Sequence, residues 1–326
     1  MMPDSPLTVL CITGWFRNGS TIIGNIMNEV PGFFHVGEMH YLWQNAAGKG
    51  SNNLCGCGQP LTDCAVWSKV LASLRPPETS LEEYADKVTH RQLGYVRTYH
   101  TWRILNRGLH CEAIREHGDL MARTYRAIAD RMGARVIVDT TKIPSEAALL
   151  LNVPTVTPYF IHLVRDPRAA AYSWRNTKQY VDATSAARST AYWDLFNLGS
   201  EAITRRYPER SLFLRYEDFI ADPAVAIDAL LELCGGDRDA NPVRGRVVEL
   251  HVNHTITGNP DRFNIGPTTI RETDDGWRAG LPASAKLATM TISGPLLRRY
   301  GYRFQGTFSN EACPDRPWMG WPDEGA

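Results

Sequence analysis

The segment Gly14-Trp15-Phe16-Arg17-Asn18-Gly19-Ser20-Thr21 has the G-x-x-x-x-G spacing and closing threonine of a phosphate-binding loop, with Ser20 where a nucleoside-triphosphate hydrolase carries lysine. Backbone N–H groups of such a loop, with the N-terminus of the helix that follows, hold a phosphate whatever nucleotide bears it. Arg17, Asn18, Gly19, Ser20 and Thr21 are therefore candidate phosphate contacts, and Arg17 is the cation available in place of the lysine. The alternative is a plain strand-to-helix turn whose glycines serve only geometry. A second anion site is indicated in IHLVRDPRAAAYSWRN, where Arg165 ends an apolar run and Ser173 falls about two turns into a helix opened by Asp166 and Pro167. A guanidinium fork and a hydroxyl suit a second phosphate. The competing reading is a capped helix with a structural Arg–Asp pair.

Proton transfer needs a positioned base. Glu38 follows the apolar run FFHV in a Gly-Glu pair, at the edge where the phosphate loop must lie. His254 is the second candidate, because imidazole titrates near neutral pH unaided. Lys142 closes RVIVDTTK, where a buried strand has no need of a lysine, so it is a candidate cation; an ion pair with Asp139 is the alternative. Arg262, beside the Asn259-Pro260 turn, can reach a nucleotide from a loop or pair with Asp261 at the surface. Cys55, Cys57 and Cys64 cluster in LCGCGQPLTDCAVW with no evident fourth ligand, although His35 and His40 lie upstream. They read as free thiols in a tight turn, with a metal or local disulfide as the alternative, and no metal is assigned.

Positioning these groups calls for alternating strands and helices. LTVLCIT, FFHV, RVIVDTTK, TPYFIHLVRD and SLFLRYEDF are continuous apolar runs of the kind a parallel strand covered on both faces requires. Ile22, Ile23, Ile26, Met27 and Val30 repeat on one helical face. The region from about 64 to 132 is mostly helical. The pattern predicts a single α/β domain over 1–308, with a doubly wound parallel sheet and a helical insertion on the acceptor side, then an irregular tail over 309–326. The chain has 326 residues, 35 Lys and Arg against 35 Asp and Glu, so no overall field draws it to nucleic acid. No apolar run reaches the ~18 residues of a membrane span, the start lacks a basic leader, and the odd set of seven cysteines suits a reducing, cytoplasmic setting.

The chain resembles the sulfotransferases that use 3′-phosphoadenosine-5′-phosphosulfate (PAPS), of bacterial type and with a P-loop-like fold. The first loop resembles their 5′-phosphosulfate loop, and Arg165 with Ser173 their 3′-phosphate motif at its own spacing. VDTTKIP resembles the "DSSK" segment, LRYEDFIADP the YED strand and turn, and HTITGNPDRF with DDGWRAGL and RRYGY the C-terminal region. The resemblance runs over about 7–303 in order. It implies metal-free, in-line sulfuryl transfer from PAPS to a hydroxyl or amine of a small-molecule, glycan or lipid acceptor, with 3′,5′-adenosine bisphosphate as product. It also supports Glu38 and His254 as base candidates and implies that Tyr216 meets the adenine. A P-loop small-molecule kinase or a non-catalytic nucleotide-binding protein is the alternative.

Overall fold

The computed structural model describes residues 5–50, 52–175 and 183–303. The chain opens with β1 (Leu7–Thr13), α1 (Ser20–Asn28), β2 (Phe33–Gly37) and α2 (Leu42–Ala46). Then come α3 (Trp67–Leu74), α4 (Leu81–Tyr95), α5 (Thr101–Arg107) and α6 (Glu112–Met132), which occupy the expected helical insertion. β3 (Val136–Lys142), α7 (Pro144–Leu150), β4 (Val156–Val164), α8 (Pro167–Trp174), α9 (Ala186–Arg206) and β5 (Ser211–Arg215) continue the alternation. α10 (Tyr216–Ala221), α11 (Pro223–Leu233), β6 (Val247–Leu250), β7 (Gly266–Thr269), α12 (Trp277–Gly280) and α13 (Ala283–Arg299) complete it.

Five strands form a parallel sheet in the order β2-β3-β1-β4-β5. The unalternated apolar runs are explained by cover on both faces. One apolar layer packs α3, α4, α6 and α7 residues such as Val70, Val88, Tyr125 and Ala148 against Val9 and Ile137. The other packs Ile23 and Ile26 of α1 with Phe219, Ile227 and Leu230 against Leu10, Val138 and Leu163. The arrangement is the doubly wound α/β sheet that the strand spacing predicts. Its central strand, β1, lies between β3 and β4, so the chain departs to opposite sides there and leaves a crevice at the carboxyl ends of the strands.

Two boundaries and one hairpin differ from the sequence reading. β4 stops at Val164, because Asp166 caps α8 through the Arg168 N–H at 2.8 Å and Pro167 supplies no donor to a ladder. Arg165 is thereby released from the sheet. SLFLRYEDF is strand only to Arg215; Glu217 and Asp218 suit the first turn of α10, and Arg215 clamps Asp218 at 2.6 and 2.5 Å. The antiparallel hairpin β6–β7 carries no clear signal in its four-residue strands. The expected tail, 309–326, lies outside the described residues. Among the described residues no helix is long and apolar enough to cross a membrane.

Candidate active site

The turn after β1 is left-handed at Gly14 (φ 130°), Arg17 (φ 69°) and Gly19 (φ 90°). A Cβ on Gly14 would sit 2.3 Å from the Leu163 carbonyl oxygen, and one on Gly19 2.3 Å from the Tyr216 ring. Both glycines are thus required by the loop's path across β4 and the start of α10. Asn18, 2% exposed, holds that path by donating to Leu163 O at 3.0 Å and accepting from Ser20 N–H at 3.3 Å. Arg17, without a glycine's freedom, adopts the left-handed conformation, a strain of about 1–3 kcal/mol that concentrates at functional loops. Ser20 opens α1, with Thr21 behind it, so the loop amides and the helix N-terminus share one end of the sheet.

The two segments expected to bind anions meet. Arg17 Nε donates to Ser173 Oγ at 3.1 Å, and Arg165 Nη1 donates to the Arg17 carbonyl at 2.6 Å. The Arg165 guanidinium stands 5.2 Å over the Tyr216 ring. Asp166 pairs with Arg168 at 2.7 Å, both buried, so the structural Arg–Asp pair of the RDPR turn exists but leaves Arg165 out. Arg165 instead forks onto Asp274, with two contacts of 2.6 Å. Sequence reading missed Asp274 and Arg271, whose Nη1 is 3.5 Å from Asp274. Only the DDGWRAGL segment signalled the region. Arg165, Ser173, Arg271, Asp274 and Trp277 line a cleft of about 260 Å³.

At the neighbouring strand ends, Lys142 Nζ lies 2.6 Å from Glu38 Oε1 and donates to Thr140 O at 2.5 Å. Both side chains are buried. Lys142 is the second non-glycine residue at this edge in the left-handed region, φ 71°. That twist, right at the end of β3, turns its side chain over Phe16 of the loop, 4.9 Å from the ring centre. The alternative pairing with Asp139 does not form. Asp139 accepts from Thr141 N–H at 2.7 Å and from the Tyr125 hydroxyl, and burial pushes its carboxyl up to about 6. Glu38 is held by its backbone as well: its N–H donates to Ile256 O at 2.8 Å, and Ile256 N–H donates to Val36 O at 2.8 Å, so a short C-terminal segment lies along the free edge of β2.

That segment places two candidates elsewhere. His254 Nδ1 is 3.3 Å from Cys64 Sγ and 3.6 Å from Cys55 Sγ, facing the thiols rather than the Glu38–Lys142 pair. Arg262 is 1% exposed and donates to Thr255 O (2.9 Å), Leu54 O (2.8 Å) and Asn52 Oδ1 (2.8 Å). It braces the cysteine loop against the C-terminal segment, in place of the surface pairing with Asp261 that was its alternative reading. His35 is a satisfied core residue between Asn25 and Thr140, as its apolar setting suggests, and burial lowers its imidazole to about 3.

The glycine-lined cradle, the paired arginine motifs and the carboxylate–ammonium pair share the carboxyl end of one parallel sheet. The profile described as "Sulfotransferase family" matches residues 10–240. The chain belongs to the sulfotransferase family. Among solved structures it is similar to the sulfotransferase domain of the Synechococcus PCC 7002 olefin synthase, at 19% identity over 91% of this chain and 97% of that one, with a TM-score of 0.47. It is also similar to the sulfotransferase domain from the curacin biosynthetic pathway (16% identity, 91% and 98% covered, TM-score 0.49). Sulfotransferase STF9 from Mycobacterium avium gives 15% identity, 93% and 80% covered, and a TM-score of 0.47. No curated protein matches the chain.

Proposed function

We propose that this sulfotransferase takes its sulfuryl group from PAPS and delivers it in line to a hydroxyl, less readily an amine, of a small-molecule, glycan or lipid acceptor. The carrying observation is the Arg17–Ser173 contact of 3.1 Å, with Arg165 anchored on the Arg17 carbonyl, which joins the loop to a second anion site. A donor with phosphate at both 5′ and 3′ positions fits two adjoining anion sites; a triphosphate does not need the second. The Gly19 cradle, closed to any Cβ by Tyr216, suits close backbone approach to the 5′-phosphate. The cleft at Arg165, Ser173 and Arg271 suits the 3′-phosphate.

In the transfer, the acceptor oxygen forms a bond to sulfur as sulfur's bond to the bridging oxygen breaks. The electron pair leaves with the 5′-phosphate. Glu38 takes the acceptor proton, and its pairing with Lys142 fixes the carboxylate at the strand end. Lys142 has three N–H donors, of which Glu38 and Thr140 take two, so one remains for the leaving oxygen. The loop amides and Arg17 meet the rest of the developing charge. A positioned base of this kind contributes ~10²–10⁴-fold.

The test is nucleotide binding measured by calorimetry without Mg²⁺. 3′,5′-Adenosine bisphosphate is expected to bind in the micromolar range, about −8 kcal/mol, and much more tightly than AMP. Equal affinity for the two removes the second phosphate site. Mg²⁺-dependent turnover of ATP would instead identify a kinase.

A further inference from the structure

Apart from the nucleotide site, the described residues hold one other cluster of soft donors. The sulfurs of Cys55, Cys57 and Cys64 and one imidazole nitrogen of His254 all lie within 4.8 Å of one another. We propose that these four residues bind a structural zinc ion that fastens the C-terminal segment to the edge of the sheet beside Glu38.

Zinc bound by sulfur at about 2.3 Å and nitrogen at about 2.0–2.1 Å makes a tetrahedron whose S···S edges are about 3.8 Å and S···N edges about 3.6 Å. Three of the six edges are 3.5 Å for Cys55 to Cys64, 3.6 Å for Cys55 to His254 and 3.3 Å for Cys64 to His254, and the three to Cys57 stay within 4.8 Å. A disulfide between Cys55 and Cys64 needs about 2.05 Å, well inside the observed spacing. Three thiolates and an imidazole, four donors from the protein, are the closed donor set of a structural rather than a catalytic zinc.

The surrounding chain is built to hold the four in place. Cys55 N–H bonds Gln59 O at 2.7 Å and Gly58 N–H returns to Cys55 O at 2.8 Å, a tight knuckle that Gly58 turns at φ 83°. Gly56 lies against Asn253, where a Cβ would meet the amide oxygen at 1.9 Å, and its N–H donates to Thr255 O at 2.9 Å. Trp67 Nε1 fixes His254 from behind through its carbonyl, at 2.6 Å. Cys55 and Cys64 are fully buried, so an ion there would be closed off from solvent on that side. The fourth ligand comes from beyond the 10–240 span matched by the family, which is why the three cysteines look incomplete when read locally.

The test is metal content of the full chain, with cobalt substitution as the second readout. Protein expressed in zinc-supplemented medium is expected to carry one zinc per chain, released in step with titration of its thiols by an organomercurial. Cobalt-loaded protein should show the visible bands of a tetrahedral thiolate site. His254→Ala and Cys64→Ser should each lower bound metal by about tenfold or more, whereas His254→Cys should keep it with a shifted cobalt spectrum. That retention distinguishes a ligand from a residue needed only for folding. Seven titratable thiols with no bound zinc, two thiols missing through a Cys55–Cys64 disulfide, or loss of metal in His254→Cys while Trp67-reported folding is intact would each overturn the proposal. None of these readouts depends on the sulfuryl donor.

Discussion

Lys142 Nζ and Glu38 Oε1 meet at 2.6 Å in a buried pocket where two parallel strands end, with Lys142 held in a left-handed backbone conformation to make the contact. The pair joins the proposed base to the proposed leaving-group cation before any ligand arrives. Each residue therefore has two jobs, and single substitutions at either one will mix chemistry with stability.

Glu38→Gln is expected to cut kcat by ~10²-fold or more, with a smaller loss for an acidic phenol acceptor than for an alkyl alcohol. Because it strands the Lys142 ammonium, it should also cost about 3–5 kcal/mol of stability. Adding Lys142→Met should return most of that stability, measured by denaturant unfolding, and none of the activity. Near-native turnover by Glu38→Gln with its natural acceptor would take the base assignment away from Glu38.

Arg165→Ala should weaken 3′,5′-adenosine bisphosphate by ~2–4 kcal/mol and leave AMP nearly unchanged, since a charge-assisted fork to one extra phosphate is lost. Asp274 already occupies that fork in the free protein. Asp274→Asn is accordingly expected to tighten the bisphosphate by about 1 kcal/mol or more, because a like charge no longer competes with the phosphate. Calorimetric titrations of the two nucleotides with both variants decide it.

Gly19→Ala should abolish bisphosphate binding. The new Cβ faces both a left-handed φ and the Tyr216 ring. Adding Tyr216→Ala removes the clash but not the backbone strain, so the double variant is expected to recover only part of the affinity. Full recovery would mean that ring contact alone sets the loop.

Stability should respond to pH through two buried groups of opposite sense. Burial raises the Glu217 carboxyl to about 7, against an ordinary value near 4.5, so its contribution is present in acid and is lost as pH rises toward 7. Burial lowers the His162 imidazole to about 4, so its contribution is present above the ordinary 6.5 and is lost as pH falls toward 4. Glu217→Gln retains an acceptor for Asp166 N–H and a partner for the Tyr302 hydroxyl. It is expected to raise stability at pH 8 by ~2–3 kcal/mol and change little at pH 4.5, as read by urea unfolding at the two pH values.

The site was legible where the signal was local. The Gly14–Thr21 spacing and the interval from Arg165 to Ser173 marked the two segments that meet at the strand ends, because loop and cap chemistry are written in adjacent residues. Glu38 and Lys142 were legible as strand-end residues, yet their contact was not, since pairing across β2 and β3 is a matter of register. The Arg165–Asp274 fork and the contacts of Arg262 with Asn52 and Leu54 were hidden for the same reason, since these partners lie far apart in sequence and no periodicity reports such a meeting. The strand ends at Val164 and Arg215 were missed where capping residues overrode a continuing apolar pattern.

Ile256 fixes the backbone of Glu38 from the other end of the chain, lying along β2 where the sheet would otherwise end. Closing so long a loop is entropically costly and slow, and a ribosome delivers the N-terminal strands first. The phosphate loop and its sheet can therefore assemble while Glu38 still lacks its anchor. A nascent chain stopped before residue 256 would hold the Gly14–Thr21 loop without the anchor of the proposed base, so on that assignment catalytic competence arrives as one late event in biosynthesis rather than growing with the fold.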